Sequence, residues 1–319
     1  MLVRRHRGGI LTCVSLRRLA WQVANRQGRS LRQFVYDASM TTFRPLVILG
    51  SGYTGRWIYQ LARQRSLPVY ASSRKPELHL TYAESKARLR FDLADPETWS
   101  ALPLNVDLIW AFPAVPLERV QAFAARFLIP SARLVVLGST SAYDRVPPKA
   151  SGTAPWIDET GPVNTALPRV QGEEYLRTHH GATLLRVAGI YGPHRNPVEW
   201  IRQGRVGPTE KFVNLIHVED LAQLCLLALN GRHAGQTYNV SDGQPRRWAD
   251  ICTEVARRWG VVGPLQAGSQ EPGKRILNQK LLDHFAPTFQ HPDLYAALQV
   301  LQSPLVSPIG EIAAGDGTS

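Results

Sequence analysis

The chain has 319 residues, 44% of them hydrophobic and 19% charged, a composition that excludes a largely disordered protein. Its length suits one large α/β core with a smaller second lobe, and no uninterrupted apolar run approaches the roughly 20 residues needed to cross a bilayer. The formal charge of +12 is concentrated: eight arginines (Arg4, Arg5, Arg7, Arg17, Arg18, Arg26, Arg29, Arg32) stand against Asp37 alone in residues 1–39, which leaves an ordinary +5 elsewhere and removes most of the case for nucleic-acid binding.

Residues 1–43 read as a basic leader. They are either sequence upstream of a true start at Met40 or an Arg-rich, acid-poor arm of the organelle-targeting kind. The expected location is cytoplasmic, or an organelle if the leader is a transit peptide. Cys13, Cys225 and Cys252 have no CxxC spacing, and the last two fall on apolar helix faces, so burial is expected rather than redox or metal chemistry.

The fold signal begins at Pro45–Gly50, a continuous apolar run of the type expected for a parallel strand buried on both faces. Trp57, Ile58, Leu61 and Ala62 follow at helical spacing. Further strands are predicted at 68–71, 88–91, 106–112 and 133–137, with a helix between the last two that presents Val120, Phe123, Ala124 and Phe127 on one face. This alternation predicts an α/β protein with a Rossmann-type, doubly wound parallel sheet over residues 44–180. Residues 181–302 predict a smaller, interleaved lobe for substrate, with strands at 182–187 and 237–240 and helices at 218–229 and around Trp248 to Trp259. The tail, 303–319, is expected to fray.

Gly50-Ser51-Gly52-Tyr53-Thr54-Gly55 is a GxGxxG at the junction of the first strand and its helix, the context in which that pattern indicates a dinucleotide. Gly50 permits the turn, Gly52 lets the backbone approach a pyrophosphate, Gly55 lets helix pack on strand, and the helix N-terminus offers its N–H groups to phosphate. At the end of the second strand an acid would hold the ribose 2′-hydroxyl of NAD. The sequence there is Ser72-Ser73-Arg74-Lys75, and Arg74 favours the 2′-phosphate of NADP. Asp92 either accepts from the adenine amino group or caps the Asp95-Pro96 turn, and Pro113 past the fourth strand completes the candidate cofactor contacts.

With this turn, Ser139-Thr-Ser-Ala-Tyr143, Leu185 to Pro193 and Ile216 to Leu221, the chain resembles the extended short-chain dehydrogenase/reductase superfamily over about residues 45–300, within its NAD-dependent epimerase/dehydratase group. Tyr238 to Asp242 and Lys274 to Asn278 resemble its atypical, YeeZ-like bacterial members. The resemblance implies that Ser139 orients a substrate hydroxyl and that a Tyr-x-x-x-Lys pair on the next helix transfers the proton. Here the sequence departs: Thr165 and Arg169 stand where Tyr and Lys would be, and neither ionises usefully. Tyr82-Ala-Glu-Ser-Lys86 has the right spacing but lies on the adenine side. Tyr143 is the substitute acid to consider, although its family counterpart is structural.

Tyr191 and Pro193 are expected to shape the loop over the nicotinamide, and His194 and Arg195 to meet an anionic substrate group. His217 opens a helix whose Glu219 and Asp220 suit the helix dipole. No metal is expected, because His179-His180 lacks a ligand spacing with any nearby carboxylate. The predicted function is hydride transfer on a nucleotide sugar or other small polar carbonyl or alcohol. The alternative is a non-catalytic NADP-binding sensor or scaffold. No nucleic-acid or membrane partner is expected; a homodimer is suggested by the resemblance alone.

Overall fold

The computed structural model describes residues 44–129, 132–143, 153–229, 233–264 and 272–303. The basic leader, with Cys13, and the tail past Ser303 lie outside them.

Seven parallel strands form one sheet: β1 (Leu46–Leu49), β2 (Val69–Ser73), β3 (Arg88–Arg90), β4 (Asp107–Trp110), β5 (Leu134–Ser139), β6 (Thr183–Val187) and β7 (Thr237–Val240). Their spatial order is β7-β6-β5-β4-β1-β2-β3. All seven coincide with strands predicted from the sequence. The fifth runs on to Ser139, beyond its apolar stretch, because Gly138 and Ser139 still pair with Arg186 and Val187 of β6. The chain changes direction between β1 and β4, and in open α/β sheets the crevice beyond the strand C-termini at such a switch is where ligands bind.

Alternation along β1 divides the core. Leu46 and Ile48 pack with Ile58, Ala62, Leu221 and Leu224, whereas Val47 and Leu49 pack with Val120, Phe123 and Leu176. Accordingly α1 (Tyr53–Gln64) and α4 (Val218–Ala228) cover one face, and α2 (Leu117–Phe127) and α3 (Pro168–His180) the other. On the second face the fully buried Phe123 meets Phe91, Trp99 and Trp110 edge-on at 5.4, 5.4 and 5.6 Å and stacks on Phe127 at 5.3 Å. The second lobe has its own core of Tyr191, Leu215, Ile251, Val255, Leu294 and Leu298, in which α5 (Trp248–Trp259) packs with α6 (Leu294–Gln302). Cys225 and Cys252 are buried free thiols. Trp156–Ile157, ahead of α3, pairs with Arg275–Ile276, so the two parts of the chain interleave. Among the described residues no helix is long and apolar enough to cross a membrane.

Truncating the aromatic hub tests this arrangement. Phe123→Ala should lower unfolding free energy by about 3–5 kcal/mol, read as an earlier urea midpoint with an unchanged slope.

Candidate dinucleotide and active site

The glycine turn is built by close approach. Gly50 has φ +83°, and a Cβ there would lie 2.7 Å from the Phe112 ring. A Cβ on Gly55 would stand 2.9 Å from the Gly50 carbonyl oxygen, so α1 can seat against the turn only without a side chain at that position. A Cβ on Gly52 would meet no atom within 4 Å, leaving open the space over the start of α1. Helix α1 has Gly52 as its N-cap, no capping side chain and no acid in its first turn. Its half-buried Tyr53 and Thr54 therefore begin a helix with free N–H groups and a positive dipole end, an arrangement that fits a pyrophosphate.

Two buried serines lock the turn to β2. The Ser51 and Ser72 hydroxyls both donate to the Ile48 carbonyl, at 3.2 and 2.9 Å, while Ser72 N–H donates to Ser51 Oγ and Gly50 N–H to Ser72 Oγ. Ser51 therefore faces the protein and supports the turn from behind. Tyr82 does so too: its hydroxyl donates to the Ser51 carbonyl at 3.0 Å, which gives the misplaced Tyr-x-x-x-Lys a structural duty. Arg74 stands exposed at the end of β2 with no carboxylate partner among the described residues. Asp92 accepts the Ala94 N–H at 2.9 Å, and Asp95 caps the next turn by accepting from Glu97 at 3.2 Å. Pro113 is exposed past β4, its carbonyl accepting from Val115.

Tyr53 reaches across from the turn to the second lobe. Its hydroxyl donates to the Pro193 carbonyl at 3.0 Å, and burial pushes its pKa up to about 12, so it stays a donor. The Arg195 guanidinium lies over its ring at 5.8 Å, and Arg195 Nε donates to Ile190 O. Tyr53, His194, Arg195, Trp200 and Arg205 line a cavity of about 400 Å³. Its lining contains no carboxylate, which suits an anion. A larger cavity of about 580 Å³ lies at the opposite end of the sheet, beside Arg133, His179 and Thr183, away from the strand C-termini. Tyr191 is wholly buried in the second lobe's core, its hydroxyl without a partner and its pKa raised by burial. Its ring packs edge-on to the His217 imidazole at 5.1 Å.

Ser139 Oγ lies 2.9 Å from Ser141 Oγ and accepts from Ser141 N–H, and Arg169 Nη2 donates to Ser141 Oγ at 2.8 Å. The two positions singled out at 139 and 169 are thus joined through a serine that the sequence reading passed over. Thr165, placed on the helix by that reading, is outside it. Helix α3 starts at Pro168, whose ring fits the first turn, and Thr165 is exposed in the preceding loop with its carbonyl accepting from Gln171. Tyr143 is buried, with its hydroxyl donating to Asn239 Oδ1 at 2.6 Å and Arg186 over its ring at 4.8 Å. Burial raises its pKa despite Arg186, so the group stays protonated as a brace between β5 and β7.

Glu173, one helical turn past Arg169, escaped the sequence reading. It is 2% exposed, its Oε2 has no partner, and a Cβ on Gly138 of β5 would come within 2.8 Å of that oxygen. Desolvation raises its pKa to about 7 against the opposing pull of Arg169 and Arg186. The legible signal was a carboxylate in the apolar stripe Val170-Glu173-Leu176. Because its folded-state pKa exceeds the ordinary 4.5, the native state holds this proton more tightly than the unfolded chain does. Stability from this group is complete below pH 4.5 and is lost as the pH rises toward 7, by an amount on the order of 3 kcal/mol. Glu173→Gln should abolish that slope and stabilise the protein above pH 7, as read from urea unfolding across the range.

No protein-family profile matches the chain. It is 29% identical over 184 residues to YeeZ of Escherichia coli K12, a match that covers 56% of this chain and 61% of YeeZ, less than two thirds of that relative's length. Its fold is similar to that of a short-chain dehydrogenase/reductase superfamily protein from Agrobacterium tumefaciens with bound NAD: TM-score 0.67, 17% identity, covering 81% of this chain and 96% of that one. It is also similar to the UDP-glucose 4-epimerase of Thermus thermophilus in complex with NAD, with TM-score 0.59 and 19% identity over 81% of this chain and 98% of that one. The chain thus has the Rossmann-type fold of the short-chain dehydrogenase/reductase and NAD-dependent epimerase/dehydratase proteins and resembles YeeZ over the matched residues.

Proposed function

We propose that the chain binds a nicotinamide dinucleotide across the C-terminal ends of β1, β2 and β4, and moves hydride between it and a carbonyl or alcohol of a small anionic substrate. The observation that carries the reading is the uncapped start of α1 behind Gly52, where the backbone faces open space at the sheet's switch point. NADP is preferred: Arg74 is exposed beside the site and β2 ends on serines where NAD-binding sites place an acid. The cofactor, when bound, supplies the hydride chemistry.

The chain's own residues do the positioning. Ser139, linked through Ser141 to Arg169, holds the substrate oxygen, and the positive charge of Arg169 favours any negative charge that develops there. His194, Arg195 and Arg205 hold an anionic group, such as the phosphates of a nucleotide sugar. With Thr165 off the helix and Tyr143 spent on Asn239, proton transfer falls to water or to Glu173. The lack of Tyr and Lys at positions 165 and 169 favours a second reading, a non-catalytic NADP-responsive sensor or scaffold.

Fluorescence titration of the protein with NADPH and NADH tests the common core of both readings. NADPH should bind, Gly52→Asp should abolish binding by placing a carboxylate where phosphate belongs, and Arg74→Ala should weaken NADPH by roughly tenfold or more while sparing NADH. Failure of both cofactors to bind at near-millimolar concentration overturns the proposal. Turnover of reduced cofactor against sugar nucleotides then separates enzyme from sensor.

A further inference from the structure

One group of side chains at the start of α4 has the make-up of a metal-ligand set, and sequence separation conceals it. His217 ends the short strand Leu215–His217 and caps α4, Glu219 lies in the first turn of that helix, and His291 arrives from the segment before α6, 72 residues beyond Glu219. One candidate ligand atom from each lies within 4.8 Å of the others. The expectation of no metal rested on local spacing, which could not register this convergence.

The set is held in place by groups outside it. Both oxygens of Asp220 accept backbone N–H groups of the incoming segment, from Gln290 at 2.6 Å and from His291 at 3.1 Å, and so anchor the His291 backbone beside α4. His217 is 2% exposed; its Nδ1 accepts the Glu219 N–H at 3.3 Å, and its Nε2 has no hydrogen-bond partner. His291 Nε2 is 2.8 Å from Glu219 Oε2, and the two imidazole rings are 3.6 Å apart. With Nδ1 accepting the Glu219 N–H, the ring proton sits on Nε2, so His217 offers a lone pair to an ion once that long bond is given up or the proton moves to Nδ1. Two imidazoles and a carboxylate are then the donor chemistry that a borderline divalent ion satisfies.

We propose that His217, Glu219 and His291 bind one divalent ion of the zinc class, which ties the segment around His291 to the first turn of α4. Two imidazole nitrogens and one carboxylate oxygen suit zinc, whereas magnesium and calcium require oxygen sets. Three protein ligands leave the fourth tetrahedral position for water. Ligand atoms about 2.0–2.2 Å from zinc lie roughly 3.4 Å from one another, so the widest separation, up to 4.8 Å, must close by up to about 1.4 Å while the 2.8 Å His291–Glu219 pair opens. Glu219 and His291, with side chains 33% and 22% exposed, have room to move onto a fixed His217.

The test uses the full chain, stripped with a chelator and titrated calorimetrically with Zn²⁺ and with Mg²⁺, and spectroscopically with Co²⁺. His291→Ala and Glu219→Ala are measured in parallel, with circular dichroism to confirm folding. Either variant suffices if the other fails to fold, and neither removes the backbone bonds to Asp220. The expected result is one Zn²⁺ per chain, four-coordinate Co²⁺ bands, no response to Mg²⁺, and affinity more than roughly tenfold weaker in each folded variant. Absence of Zn²⁺ binding, or equal binding in the variants, overturns the proposal.

Discussion

The structure depends on one close approach: α1 resting against the turn that follows β1. With Gly50 bent into the left-handed region and no side chain on Gly55, the first turn of α1 comes within contact distance of the Gly50 carbonyl. The hydroxyls of Ser51 and Ser72 then clamp that turn to β2 by sharing the Ile48 carbonyl. All these groups are buried or half-buried, so their hydrogen bonds are strong and expensive to leave unmade. The result is a rigid edge from which free N–H groups project toward solvent at the switch point of the sheet.

Other parts of the site take their places from that edge. Tyr53 leaves it to hold the Pro193 carbonyl, which joins the first lobe to the loop carrying His194 and Arg195. Tyr82 supports it from behind. Phe112 fills the space beside Gly50 and continues into the aromatic cluster around Phe123, so the floor of the crevice is continuous with the core on the α2 and α3 side. The opposite face is supported by α4, which packs on α1 and brings His217 and Asp220 with it.

The departure from the Tyr-x-x-x-Lys pair that the resemblance implies has a structural logic. A proline at the first position of α3 fixes where the helix begins, and Thr165 falls before it. Arg169 then lies on the first turn and reaches forward to Ser141, while Glu173 lies one turn deeper with its charge suppressed by burial. Charge in this region is thus carried by the partly exposed Arg169 guanidinium and withheld from the carboxyl beneath, which leaves a proton held close to neutrality below it.

The sequence by itself determined the sheet and the turn. Continuous apolar runs such as Leu46–Leu49 and residues 134–137 suit strands of a parallel sheet buried on both faces, and GxGxxG after the first of them leaves few alternatives to a tight phosphate-binding turn. The resemblance singled out Ser139 and Arg169 as candidates. The tertiary structure alone decided how such residues are used. Ser51 points inward, Tyr143 is committed to Asn239 ninety-six residues away, Ser141 bridges Ser139 and Arg169, and Thr165 lies off the helix. Likewise Glu173 is desolvated by β5, and His291 meets His217 and Glu219 only because Asp220 anchors its segment. Periodicity and local spacing encode what lies within a few turns of chain; burial and partnership depend on which distant segments the folded core brings into contact.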